Sequence, residues 1–426
     1  MKQKTKLLAL ILATALTVGS APALAVQPNN STLVPLVRKY DGRFSDMQDI
    51  WCADAAKTCF SAKLMEGRQA NRFDAASPLT DAQILVICAR LHDLLTGGNG
   101  TLPAPENGTP WYQPAYDRLV SLVNQQSSSQ ASMLSNLKRM ASQPDNVCTR
   151  QTFSDLLLLV LDSADISLPV LNDLTQATPD LLPDCSTYSL YRWGILNGTD
   201  AYGTYGAWDR LNRGQAAAIL ARVVDPAQRL HFTLQTFDQC RDVLSLPSMT
   251  VLLTIDGRAY TAEDCAEALC QGMRREMDRM MVDGEQELPR ALDYTVETMK
   301  MVTALEALAN QLDITVTDEE VVKTYGPVYD GYKGRPAAVS RRIQRLTLLH
   351  NKLVMHYENL YGTELEGFSP GSSSAGESRF ESALESLCDA MAVIESDAFQ
   401  SFDLSAAVSR LKKAPAVIGS NYDRNL

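Results

Sequence analysis

The feature that most constrains this chain is a stretch that occurs twice. Trp193-Gly-Ile-Leu-Asn-Gly198 is followed by Leu211-Asn-Arg213-Gly-Gln-Ala-Ala-Ala-Ile-Leu-Ala-Arg222-Val223. A worn copy comes earlier as Leu64-Met-Glu-Gly67, Leu79-Thr-Asp81-Ala-Gln and Cys88-Ala-Arg90-Leu91. From Gly67 to Asp81 is fourteen residues and from Gly198 to Arg213 fifteen; from Asp81 to Arg90 and from Arg213 to Arg222 it is nine in both. Matched gaps identify an internal repeat, and a repeat of two short helices cannot bury both its apolar faces alone, so copies must pack together. Cys148-Thr-Arg150-Gln151, opening the apolar run Leu156 to Leu161, supplies the second half of a middle copy, with Tyr116 to Asn124 as its first helix.

Residues 1–25 carry lysines at 2, 4 and 6, an apolar run from Leu7 to Val18, and Ala23-Leu24-Ala25 before Val26. The run is too short to span a bilayer and the small residues suit signal peptidase, so the expectation is a secretory signal peptide and a secreted mature chain with no integral membrane segment. Processing removes three of the 39 Lys and Arg and none of the 50 acids. Such an acidic chain lacks the basic face that a nucleic-acid partner requires. All nine cysteines survive, an odd number with no Cys-x-x-Cys. Cys52 and Cys59 lie on one expected helix, about 10 Å apart along its axis at about 1.5 Å per residue, too far to bridge. Most of the cysteines occupy Ala-like or Leu-like helix positions, as small buried apolar residues do.

The repeats resemble the S-layer homology (SLH) family, whose pattern runs Phe-x-Asp, a helix with Trp and Ala, Gly-x-x-x-Gly, Phe-x-Pro, Thr-Arg-Ala-Glu, and a helix ending in Ala-x-Arg, although the proline is replaced by Ala75 and Ala207 in the two clear repeats. Repeat 1 (40–94) supplies Phe44-Ser-Asp46, Trp51, Ala55, Gly67, Phe73 and Thr80; the degenerate repeat 2 covers 111–163; repeat 3 (180–228) supplies Gly194, Gly198, Tyr205 and Arg213. The resemblance implies a three-repeat helical spindle that binds secondary cell-wall polysaccharide at a bacterial cell surface. The arginine of the Thr-Arg-Ala-Glu position would meet a ligand carboxylate where helix N–H groups point outward. Arg213 and Arg150 hold that position, while repeat 1 has Asp81 there, which would leave its groove silent or binding something else, or with Thr80 would simply cap the helix. Trp208, in the loop Gly203-Thr-Tyr-Gly-Ala-Trp, is a candidate to stack on a pyranose, with a core position as the other reading of such a tryptophan.

Beyond about residue 242 the texture changes. Val251-Leu-Leu-Thr-Ile255, Asp256-Gly257 and Arg258-Ala-Tyr260 predict a hairpin with a strongly favoured two-residue turn. Thr261 with Asp264 opens a helix whose apolar face carries Ala266, Leu269, Met273 and Met277; a second helix runs from Arg290 to Leu312. Thr317-Asp-Glu-Glu320 is a capping box after an extended link, and Val339 to Tyr361 is a long helix on whose apolar stripe His350 would be a core histidine. The segment from Leu308 to Val321 in this setting resembles the N-terminal domain of SurA-type, parvulin-associated foldases, over 248–366. That resemblance implies a helical module that holds unfolded client segments, and Met273, Met277 and Met281 are the client-binding candidates, although core filling explains them as well. No parvulin domain fits in what remains: a Gly- and Ser-rich linker at 367–376, then helices over 377–413 that pack back on the helical domain, with the segment around Ile394 adding a strand to the hairpin.

The fold class expected is therefore mainly α. No phosphate loop, His-x-x-x-His pair or Gly-x-Ser-x-Gly elbow occurs, so neither catalytic residue, cofactor nor metal is expected. The leading reading is an exported wall-bound protein with a non-catalytic chaperone-like module for unfolded or exported proteins. The alternatives are a structural or adhesion component with one fixed protein partner, and a peptidyl-prolyl isomerase-type foldase.

Overall fold

The structure, a computed structural model, describes residues 32–125, 130–283, 289–363 and 373–420. The expected signal peptide and most of the expected Gly/Ser linker lie outside these residues. The chain is mainly α-helical with one small three-stranded antiparallel sheet. It folds as two compact units: residues 32–175 with Asp184–Leu234, and Gln176–Pro183 with residues 235–420. Gln176–Pro183, part of which the sequence reading places in repeat 3, groups with the second unit.

In the first unit, repeat 1 contributes α1 (Ala53–Ser61) and α2 (Asp81–Leu95), and repeat 2 contributes α3 (Gln113–Gln125) and α5 (Arg150–Ser163). Repeat 3 contributes α6 (Tyr188–Arg192) and α7 (Arg213–Val224). An additional helix, α4 (Gln130–Ser142), sits inside repeat 2, where no helix is expected from the sequence. The second helices start alike. Thr80, Thr149 and Asn212 are their N-caps, and the cap side chains accept the N–H of Gln83, Thr152 and Gln215 at 3.4, 3.2 and 2.8 Å. The glycines of the repeat motif have a local reason: Gly194 and Gly198 sit at φ 70 and 82, and a Cβ on Gly198 would lie 2.4 Å from the Gly203 backbone.

The residues just before the three caps form a closed ring. The N–H of Leu79 donates to the carbonyl of Leu211 (3.0 Å), Leu211 to Cys148 (2.9 Å) and Cys148 to Leu79 (2.9 Å). The first two N–H groups of each helix close a second set of bonds that runs round the repeats in the opposite direction. Asp81 donates to Asn146, Arg150 to Asp209 and Arg213 to Ser77; Ala82 donates to Pro144, Gln151 to Ala207 and Gly214 to Ala75, all at 2.8–3.0 Å. The first turn of a helix leaves its N–H groups without intrahelical partners. Here each helix of the trio has those donors taken by its own cap and by a neighbouring repeat.

In the second unit, β1 (Val251–Ile255) and β2 (Arg258–Thr261) form the expected hairpin, with Asp256 and Gly257 both at positive φ, as its two-residue turn demands. Helices α8 (Ala262–Asp283), α9 (Arg290–Gln311), α10 (Asp318–Tyr325) and α11 (Ala337–Tyr361) follow. Then come α12 (Ala375–Ala390), β3 (Val393–Glu395), α13 (Asp397–Gln400) and α14 (Leu404–Leu411). Strand β3 pairs antiparallel with β1, Ile394 opposite Thr254, so the tail completes a sheet of order β2-β1-β3. The main apolar cluster joins Leu305 and Leu308 of α9, Leu346, Leu349 and Leu353 of α11, and Phe380, Leu384 and Cys388 of α12, with Ile314 and Val316 of the extended link against it. His350 departs from the sequence expectation: it is exposed, its ring edge-on to Phe380 at 5.1 Å, while Leu346, Leu349 and Leu353 fill the core.

The end of the Gly/Ser stretch is helix rather than linker. Ser374 caps α12 in a capping box with Glu377, and Gly376 meets α11 so closely that a Cβ there would lie 2.4–2.8 Å from the backbone of Tyr357 and Glu358. Gly376→Ala is therefore expected to lower stability by about 1–3 kcal/mol through overpacking. Chemical denaturation of the full chain checks it, and an unchanged midpoint would mark position 376 as linker after all.

Candidate functional site

The ring determines what the repeat arginines do. Arg150 and Arg213, at the first position of α5 and α7, are buried. The Arg150 Nε donates to the Tyr205 carbonyl at 2.6 Å, and its guanidinium lies 5.5 Å from the Tyr205 ring centre. Arg213 repeats the pattern on repeat 1: Nε to the Phe73 carbonyl at 2.8 Å, Nη2 to the Glu66 carbonyl, and 4.7 Å to the Phe73 ring centre. Burial pulls the Arg213 guanidinium below its usual range, with Asp74 opposing. Neither arginine stands beside outward-pointing helix N–H groups, because the ring has consumed them. The third position holds Asp81, 1% exposed, whose Oδ2 takes an ion pair from Arg139 of α4 at 2.8 Å. Repeat 2 has Ser142 where the other repeats have Phe73 and Tyr205, so an acid–arginine pair replaces an arginine–aromatic pair. The extra helix supplies the missing cation.

Beside this third position lies a groove of about 750 Å³, lined by Asp81, Asn136, Arg139, residues 145–147, Thr149, Gln151, Thr152, Asp155, Trp208 and Arg210. Trp208 is 78% exposed, its indole held on the groove rim rather than in the core. Burial raises the Asp155 carboxyl, with a hydrogen bond from Gln151 (2.7 Å) opposing. The groove can therefore offer an aromatic face, side-chain amides from Asn136, Asn146 and Gln151, and the exposed cation of Arg210 to one ligand. Of the three polymer-binding candidates the structure brings Trp208 to this groove; Arg150 and Arg213 line neither it nor the second groove described below. The lining that sequence reasoning missed, Arg139 and Arg210 above all, lies on the unexpected α4 and on the ring strand before the Asn212 cap. The repeat pattern marks neither.

The methionine candidates separate. Met273 is fully buried, Met277 is half-buried, and the side chain of Met281 lies outside the described residues. Burial of Met273 has a plain cause: it sits on the face of α8 that continues Cys265, Leu269 and Cys270, all at 0% exposure. Among the described residues, the exposed apolar side chains of the second unit include Met301, Val322, Met355, Leu360, Tyr361 and Ile394.

The cysteines are all free, and every one except the half-exposed Cys185 is buried. Burial pushes their thiols up, to about 12 for Cys240 and Cys265, which disfavours the reactive thiolate. Among the described residues no three His, Cys, Asp or Glu side chains are placed to hold a metal ion, and no helix is long and apolar enough to cross a membrane. No family model, curated protein or solved structure matches the chain.

Two measurements follow from this geometry. Arg213→Ala strands the carbonyls of Glu66 and Phe73 and is expected to cost about 2–3 kcal/mol of stability in denaturant unfolding; a loss below about 0.5 kcal/mol would place the guanidinium at the surface. Brief iodoacetamide treatment of the native chain near neutral pH should label Cys185 ahead of the other eight, and mass spectrometry showing uniform labelling would contradict the burial pattern.

Proposed function

We propose that the first unit is a glycan-binding anchor for secondary cell-wall polysaccharide on an exported bacterial protein, and that the second unit is a non-catalytic module that binds unfolded or exported proteins. The observation that carries the first half is Trp208, exposed at the rim of an amide-lined groove built on a ring of three SLH-like repeats. An indole face suits the apolar face of a pyranose, and side-chain amides suit its hydroxyls. In this reading Arg150 and Arg213 serve the polymer indirectly, by fixing the repeats that shape the groove. The client-binding half is supported by the SurA-like segment from Leu308 to Val321 and by the exposed Met301, Met355, Leu360 and Tyr361, which offer the apolar surface that the buried Met273 does not.

Sedimentation of the full mature chain with bacterial cell-wall sacculi, before and after stripping of secondary polymer, tests the anchor. The chain should pellet with intact sacculi and stay in solution with stripped ones. Trp208→Ala should weaken retention roughly two- to tenfold without changing the unfolding midpoint. Equal retention on stripped sacculi, or no effect of Trp208→Ala, would remove this groove from the reading. Suppression of aggregation of unrelated unfolded proteins tests the second unit; binding to a single partner only would favour the structural or adhesion alternative.

A further inference from the structure

A second groove of the first unit, about 450 Å³ in volume, lies away from the ring. Here the C-terminal end of α1 and the middle of α2 face the loop Gly100–Pro105 and the start of α3. Its lining carries three cationic side chains, Arg38, Lys63 and Arg90, against one acid, Glu66, in a chain whose formal net charge is −11. Arg38 is committed: Nη2 pairs with Glu66 at 2.6 Å and Nε donates to the Phe60 carbonyl at 2.6 Å. The side chains of Lys63 and Arg90 make no hydrogen bond or ion pair with any described residue. Arg90 is half-buried, and burial pulls its guanidinium down; Glu66 opposes that pull and the Arg38 charge adds to it. The Arg90 donors have no partner among the described residues and are open to a ligand, and a carboxylate or phosphate matches the fork of a guanidinium.

The far wall is held in shape. The Gly100 N–H donates to Asp93 Oδ2 at 2.9 Å, and Asp93 Oδ1 takes an ion pair from Arg118 at 2.9 Å, so the loop is tied to α2 before Pro103 and Pro105 stiffen it. Trp111, 57% exposed and edge-on to Tyr112, stands on the rim. We infer that this groove is an oxyanion site, in which Lys63 and Arg90 take a carboxylate or phosphate group carried on a sugar whose ring lies on Trp111. It is independent of the Trp208 groove, since the two share no lining residue.

Isothermal titration of the full chain at low ionic strength tests it with three probes: inorganic phosphate, poly(glycerol phosphate) and an oligogalacturonate. Phosphate should bind, and whichever polymer binds more tightly assigns the oxyanion as phosphate or carboxylate. The double variant Lys63→Ala/Arg90→Ala should weaken binding at least about tenfold with the unfolding midpoint unchanged, because neither side chain holds anything in place. Glu66→Gln removes the competing acid, keeps the backbone carbonyl that Arg213 needs, and should tighten binding a few-fold. Oligogalacturonate should quench Trp111 fluorescence while inorganic phosphate does not, with Trp111→Phe as the reference. Absence of binding by all three probes, an unchanged affinity in the double variant, or weaker binding by Glu66→Gln would each overturn the site. Loss of wall retention in Trp208→Ala with phosphate binding intact separates the two grooves.

Discussion

Three backbone hydrogen bonds, joining Leu79, Leu211 and Cys148 head to tail, set the terms for the first unit. A helix that starts in the interior must find partners for its leading N–H groups, and leaving one unpaired costs about 1–3 kcal/mol. The repeats solve this for one another: each lends the carbonyls that precede its own cap to the helix of a neighbour. The arrangement holds only when all three copies are present, because each is both donor and acceptor. That interdependence explains why a degenerate middle copy is kept. Its role in the ring rests on backbone atoms, which tolerate wide change in side chains.

The ring also accounts for the departures from the repeat pattern. Where the aromatic survives, as Phe73 and Tyr205, an arginine from the preceding member of the cycle packs over it and bonds its carbonyl. Where the aromatic is Ser142, the facing residue is Asp81 and the cation arrives from α4. A cation is kept at the junction although its sequence address has moved. The exchange opens the space that becomes the Trp208 groove, so the most degenerate repeat contributes most of that groove's lining.

Much of the fold is legible in the sequence because short-range physics wrote it. The Asp256–Gly257 turn, the Thr317–Glu320 capping box, the helix ending at Tyr361 and the strand at Ile394 follow from turn chemistry, caps and periodicity. Other features are decided by distant partners. The helix α4 carries its own short stripe in Met133, Leu137 and Met140, but the two-helix repeat pattern has no place for it; Gly376 looks like linker until α11 lies against it, and His350 has the right period for the core but the wrong side of it. For the site, Trp208 is legible from its loop, whereas the roles of Arg150 and Arg213 are not, because the repeat pattern alone leaves a helix N-terminus facing solvent. Lys63 and Arg90 carry no motif at all. They stand out only once a groove shows two cations without partners.

The path of Gln176–Pro183 bears on how the chain would leave the cell if it is exported as proposed. Those eight residues would come out of the export channel in the middle of the first unit, yet their backbone partners, Asp330 and the N–H of Lys333, follow only much later in the chain. The chain passes between the units three times, after Thr175, after Pro183 and after Leu234. A single cut after Leu234 would leave Gln176–Pro183 covalently tied to the first unit and still folded into the second, so the two pieces would stay joined through that segment.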